Sequence, residues 1–460
     1  MSELSEAEGL LRSGALYSQR VGLRRPDGEW ILVGFKHGAF SIYFGDAPFF
    51  HFDLDGRWQR AFIAGTHYLK GLDTAVEAIE RVREGSNLIL HRRALSYAEA
   101  SDLDASVRSI ALDLITEIHS GGLEVIEPPE PTRTLTPEPL LDVLERISRW
   151  DAAAWFSQRE QYLSTYGPWS FLPPDSQPAA VLQATLGHAD GRAFSGAMPT
   201  EHDVRTSEEF QEHVKGVARL LGARIVQCRS LSLAGPDILR RPIGELETAL
   251  DLASKVFPIA QGPPRQRLSE RPIDEPILNG IHAFLDDFSP PLPDRADWVR
   301  LRARHLHRVC LGIESGAEEV RALYGSTWAE DFLFTLVADL NAAGIGKSFV
   351  VPVGAGGVEH RDRHEDRTVE QFEAIDLGPG DLIYLIDAVE IGGEAHQDRL
   401  RGLGLTPLDG PATLESRTRL KQRLGRACCG RGAKVATYSL LKQPGSLDGF
   451  RSRFQGGSAP

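Results

Sequence analysis

The stretch from Tyr17 to Phe62 is a series of short apolar, aromatic-rich segments. Turn clusters at Pro26-Asp27-Gly28, Gly45-Asp46 and Asp55-Gly56 interrupt it. That pattern predicts a meander of short strands. The spacing of apolar residues then lengthens. Thr74 to Arg83 would place Val76, Ile79 and Val82 on one face of a helix. A second helix, Tyr97 to Ile118, would present Leu103, Val107, Ile110, Leu114 and Ile118 at three- and four-residue intervals. Residues 1–126 are therefore expected to form an N-terminal α+β domain. Residues 127–139 carry five prolines, too many for a helix or an inner strand, and are expected to be a stiff extended linker. Residues 140–178 read as a helical connector, opening with an amphipathic helix from Leu140 to Trp150.

From Ala179 the pattern becomes apolar runs alternating with capped helices. Strands are expected at Ala180–Leu186, Arg224–Leu233, Ile281–Leu285, Arg308–Ile313, Ser348–Val353 and Leu382–Ile386. Between them lie helices at Thr206–Leu221, Ile243–Val256, Asp294–His305, from Thr327 to Gly344, and at Thr368–Ile375. Thr206 with Glu209, and Thr327 with Glu330, have the spacing of a capping box. Six strands with five helical connections imply a parallel βαβ series. The pattern alone leaves open whether that series forms a doubly wound sheet or a partial barrel. A further helix, Leu414–Arg426, and a Gly- and Ser-rich tail make up residues 393–460.

Composition narrows the function. The chain has 460 residues, enough for two domains or more, and no apolar run nears the roughly 20 residues a membrane helix needs. The acidic start MSELSEAEGLL has no basic segment followed by an apolar one, so the expected location is the cytoplasm. A net charge of -13 argues against general nucleic-acid binding. The four cysteines, Cys228, Cys310, Cys428 and Cys429, have neither zinc nor disulfide-framework spacing.

Chemistry concentrates where the expected strands end. Val309–Gly316 reads VCLGIESG, and Ser348–Glu359 reads SFVVPVGAGGVE. In a parallel α/β protein such ends line the ligand-binding face. Each also has a plain structural explanation: Ser315 can cap a helix, and GAGG can be a tight left-handed turn. Asp286 and Asp287 end the third strand, where such a pair more often caps the following loop. His360 and His364 are spaced for a zinc site on a helix, but their densely charged surroundings favour a solvated loop. His51 and Asp53 alternate on a strand, where a structural histidine is the simpler reading.

The order and wording of these strand ends, over roughly residues 179–392, resemble the radical S-adenosylmethionine (SAM) superfamily, which is built on a (βα)6 partial TIM barrel. The resemblance implies an α/β fold of that kind preceded by the smaller α+β domain. It also implies a nucleoside-type small-molecule ligand, SAM, held near Gly235, Asp237, Glu314, Ser315, Gly354 and Gly356. Asp237 would stand in for the acid of a Gly-Gly-Glu-like turn, although Pro236 removes a backbone donor there. Relatives hold a [4Fe–4S] cluster on three cysteines after the first strand, because soft thiolates hold the iron and tune its potential. Here those positions carry His188, Ala193 and Gly196. The cluster is therefore expected to be absent, no metal site is assigned, and no catalytic residue is named. The first expectation is a ligand-binding protein, or one that pairs with another protein. The alternative is an enzyme that holds a cluster through His188, Cys228 and Cys310, or that works without radicals at Asp237, Asp286 and Glu314. A third possibility puts the function in the N-terminal domain and leaves the barrel as scaffold.

Overall fold

The structure is a computed structural model in which residues 19–36, 38–84, 87–126, 133–134, 137–167, 171–177, 179–186, 203–235, 238–260, 278–428 and 430–440 are described. These divide into two compact units. One lies within Met1–Thr165 and Gly216–Cys228, the other within Tyr166–Lys215, Arg229–Gln261 and Leu278–Pro460.

The first unit is built on an antiparallel meander. Its strands β1 (Gln19–Arg24), β2 (Trp30–Lys36), β3 (Ala39–Phe44), β4 (Phe49–Asp53), β5 (Trp58–Ile63), β6 (Thr66–Lys70), β7 (Val76–Glu84) and β8 (Asn87–Ala94) pair in sequence order. Two short strands, β9 (Glu124–Ile126) and β10 (Arg133–Thr134), pair with β1. Alternation buries Phe40, Ile42, Phe50 and Phe52 on one face. Helix α1 (Tyr97–His119) contributes Val107, Ala111 and Leu114 to the same core, and the Ser96–Glu99 capping box fixes its start. Helices α2 (Pro137–Ser148) and α3 (Ala152–Thr165) follow.

The expected helix Thr74–Arg83 is instead strand β7. Val76 and Ala78 are both buried, a period of two, and Glu77 pairs with Arg92, its diagonal neighbour on β8, at 3.1 Å. Apolar residues three apart satisfied a helical template by coincidence, and Thr74, with a φ of 67°, closes the turn before the strand by donating to the Gly71 carbonyl at 3.1 Å. The proline-rich segment is not wholly an unpaired linker, since β10 pairs with β1 and α2 begins at Pro137.

The second unit holds a parallel sheet of seven strands. They are β11 (Ala179–Gln183), β14 (Ser230–Ala234), β15 (Ile281–Leu285), β16 (Leu306–Gly312), β17 (Gly346–Val353), β18 (Leu382–Asp387) and β19 (Lys434–Thr437), arranged in that order. Two short strands, β12 (Thr185–Leu186) and β13 (Asp203–Val204), pair antiparallel. Helix α4 (Ser207–Leu221) starts in this unit and ends in residues of the first, and helices α5 (Ile243–Val256), α6 (Arg295–Ala303), α7 (Glu318–Ala322), α8 (Glu330–Ala343), α9 (Gly357–Ala374), α10 (Ala388–Gly402) and α11 (Gly410–Ala427) lie in the later connections. β11 is buried throughout, and in β17 only the first residue is not, as expected of a parallel sheet covered on both faces. Phe349 meets Phe372 of α9 on one face, while Phe284, Cys310, Val350 and Tyr384 cluster on the other.

Several boundaries differ from the sequence expectation. The second strand starts at Ser230, because Gly222–Gln227 winds into a 3-10 turn. Thr327 does not cap α8, whose N-cap is Ala329. The charged segment EHRDRHEDR is helical rather than a loop: α9 begins at Gly357 and runs through it. A seventh strand, β19, arises within the region read as a helical extension. Among the described residues, no helix is long and apolar enough to cross a membrane.

Candidate functional site

Parallel pairing brings the carboxyl ends of β14, β15, β16 and β17 to one edge of the sheet. Gly235, Glu314, Ser315, Gly354 and Gly356 all follow those ends, so five of the six expected contact residues share that edge. The sixth, Asp237, lies outside the described residues, as do His188, Ala193 and Gly196.

Gly235 is required where it stands. Its φ is 112°, and a Cβ there would collide with the Thr185 hydroxyl. Thr185 is buried, and its Oγ1 has no hydrogen-bond partner among the described residues. Buried hydroxyls are rarely left that way.

At the end of β16 the chain bonds heavily to itself. Glu314 is fully buried, and its Oε1 accepts from Ser326 Oγ at 2.7 Å. Ser315 Oγ accepts from the Ala317 amide at 3.0 Å, a local cap, and lies 2.8 Å from His364 Nδ1. His364 Nε2 lies 3.0 Å from the Pro352 carbonyl. A carbonyl can only accept, so Nε2 carries the proton and Nδ1 accepts from Ser315. Burial pushes the His364 pKa down to about 4, which keeps the ring neutral. The Ser315 hydroxyl is thus committed to structure. Gly316 allows the close approach of α9: a Cβ there would lie 2.6 Å from the Thr368 amide nitrogen. Arg321, stacked 4.1 Å over Trp328, donates to the carbonyls of Ser315 and Gly316 at 3.1 Å each.

At the end of β17, Gly354, Gly356 and Gly357 all have positive φ. The space their missing side chains leave is filled from within the chain. Leu408 lies 3.3 Å from the Gly354 Cβ position, and the Thr406 carbonyl lies 2.5 Å from that of Gly357. The Gly356 amide donates to Tyr324 Oη at 3.3 Å, and Tyr324 in turn stacks on His396 with ring planes 7° apart. The Val358 amide donates to Thr406 O at 2.8 Å, so the start of α9 is already capped.

The aspartates after β15 have structural partners. Asp287 pairs with Arg240 and accepts from the Ser289 amide at 3.0 Å, the loop-capping role, and Asp286 is buried. A second polar cluster lies on the opposite face from α9. There the buried Asp175 carboxylate accepts from Tyr384 Oη at 2.6 Å and from Ser348 Oγ.

The thiols do not converge on the site. Cys228 precedes β14, at the strand's entrance, and burial pushes its pKa up to about 12. Cys310 lies mid-strand, packed with Phe284 and Tyr384, and burial raises its pKa well above the usual thiol value. Among the described residues, no three His, Cys, Asp or Glu side chains are grouped to hold a metal. His360 and His364 share a helix, but His364 is fully buried and its ring is bonded on both nitrogens. His51 and Asp53 are separated by a register shift in β4. His51 bonds to Ser41, while Asp53 is buried against Arg57 at 2.7 Å.

No protein-family model and no curated protein matches this chain. Sequence reading missed Thr185, Tyr324 and Thr406. None belongs to a local motif, and each becomes informative only through a contact distant in sequence.

Proposed function

We propose that the second unit is a partial barrel of the radical SAM type, which takes SAM at its strand-end mouth and has shed the iron–sulfur cluster. The barrel reading rests on strand order. Seven parallel strands in unbroken sequence order have no topological switch point, unlike a doubly wound sheet. Right-handed crossovers between successive strands would set the connecting helices on one face. The observation that carries the ligand reading is the alignment of Gly235, Glu314 and the Gly354–Gly357 turn along one edge.

The donor set does not suit a cluster. Alanine and glycine side chains at 193 and 196 offer no ligand atom, and burial holds the Cys228 and Cys310 thiols above the usual thiol pKa. The residues suit a nucleoside-bearing amino acid better. Thr185 Oγ1 offers a buried hydroxyl in need of a partner, Gly235 clears the ground beside it, and Glu314 supplies an acceptor. Bound there, SAM would present an electrophilic sulfonium. The protein's own part is to bind and orient it, and to keep water from the Glu314 carboxylate.

Titration calorimetry with SAM and S-adenosylhomocysteine tests this reading. The expected result is saturable binding that Glu314→Gln weakens roughly tenfold, the loss of one charge-assisted hydrogen bond. Absence of binding would remove the ligand reading. A second reading, non-radical catalysis, draws on the burial of Asp286 and Glu314 at neighbouring strand ends. It predicts that SAM is consumed, with Asp286→Asn abolishing turnover but not binding.

A further inference from the structure

The segment Leu405–Leu408 joins α10 to α11 and lies against the glycine turn of β17. Three hydrogen bonds hold it there. Val358 N donates to Thr406 O at 2.8 Å, while Thr406 N and Oγ1 donate to the two Glu359 carboxylate oxygens at 2.9 and 2.8 Å. Leu408 fills the space beside Gly354, and the Thr406 carbonyl fills that beside Gly357. The segment is bounded by Gly404, with φ 75°, and by Asp409, which caps α11 by accepting from the Ala412 amide at 2.8 Å.

Glycines at a strand end can let the backbone approach a ligand closely, yet here the same chain takes that room. We propose that Leu405–Leu408 is an intramolecular strap that covers the ligand-facing side of the Gly354–Gly357 turn and lifts when a nucleoside ligand binds. This rests on the SAM reading above and adds its regulation. A flat base laid on the turn would need the place Leu408 occupies. Apparent affinity is therefore reduced by the fraction of molecules with the strap closed. The strap is held mainly by one carboxylate, so it can be released without touching the residues that would contact the ligand.

Two measurements on the full chain test the strap. In the wild type, saturating SAM should speed hydrogen exchange at the Val358 amide, because the Thr406 carbonyl leaves it. Glu359→Ala, which removes the acceptor of two strap bonds, should bind SAM roughly tenfold more tightly. Leu408→Ala should act in the same direction and serves if Glu359→Ala fails to fold. If SAM binds the wild type while Val358 stays protected, or if both variants bind no more tightly, the strap is overturned and the SAM reading stands. If neither the wild type nor either variant binds SAM, both fall together.

Discussion

At the scale of single residues, the mouth of the parallel sheet is built from groups whose bonding leaves little choice of protonation state. His364 is neutral because burial penalises its charge and because Ser315 needs an acceptor at Nδ1. Away from that edge, His282, near the amino end of β15, is likewise pushed down to about 4 by burial. An unfolded histidine titrates near 6.5, so below that pH the unfolded chain takes up protons that the folded chain refuses. Stability should therefore be full above about pH 6.5 and fall as pH drops towards 4, by up to about 1.4 kcal/mol per pH unit for each histidine. Chemical denaturation across this range checks it. His364→Leu should be less stable at pH 8 yet lose less on acidification, and parallel slopes for variant and wild type would refute the assignment. In the first unit, Arg57 is buried against Asp53 and Asp55 and donates to the Leu220 carbonyl at 2.7 Å. Arg57→Met should cost about 3–5 kcal/mol, because Asp53 would be left buried without its cation. A denaturant midpoint close to that of the wild type would contradict this.

Elements were legible where one signal was enough. α1 carried a long apolar stripe and appeared almost as expected. β7 and α9 were misread for opposite reasons. In β7 the spacing of Val76, Ile79 and Val82 fitted a helix, while cross-strand partners decided for a strand. In α9 dense charge suggested solvent, while the side turned inwards is carried by His364, Glu365 and Thr368, all fully buried. Glu365 takes hydrogen bonds from Ser416 at 2.6 Å and from Arg419 on α11, neighbours that no local window contains. The packing of α9 on the end of β16 makes a sharp contrast between two glycines. Gly316→Ala drives a methyl into the α9 backbone at Arg367 and Thr368, which cannot retreat alone, and should cost about 3 kcal/mol or more. Gly325→Ala meets nothing within 4 Å and bears only the strain of a φ of 74°, about 1–2 kcal/mol. Thermal unfolding of the two variants should rank them in that order. Equal losses would mean that α9 does not sit where Gly316 requires.

At the scale of the whole molecule, six of the seven parallel strands could be read from sequence because each is a short apolar run between helical patterns. What could not be read was the use of those ends. GIESG and GAGG look like ligand contacts in isolation, yet Ser315 is spent on His364, and the glycines make room for Leu408, His360 and Thr406. Motif residues and their structural partners are far apart in sequence, and only folding shows which bonds are already taken. The proposed loss of the cluster depends on side-chain chemistry rather than on geometry. If His188, Ala193 and Gly196 stand where three thiolates once held iron, restoring them should restore the metal. The triple variant His188→Cys, Ala193→Cys, Gly196→Cys, reconstituted anaerobically with iron and sulfide, is expected to take up about four irons per chain and to show thiolate charge-transfer absorbance, while the wild type takes up none specifically. Four irons in the wild type would defeat the claim of loss. A triple variant that folds, as judged by its thermal transition, but stays colourless would defeat the kinship argument, since the loop would not be the one that held a cluster.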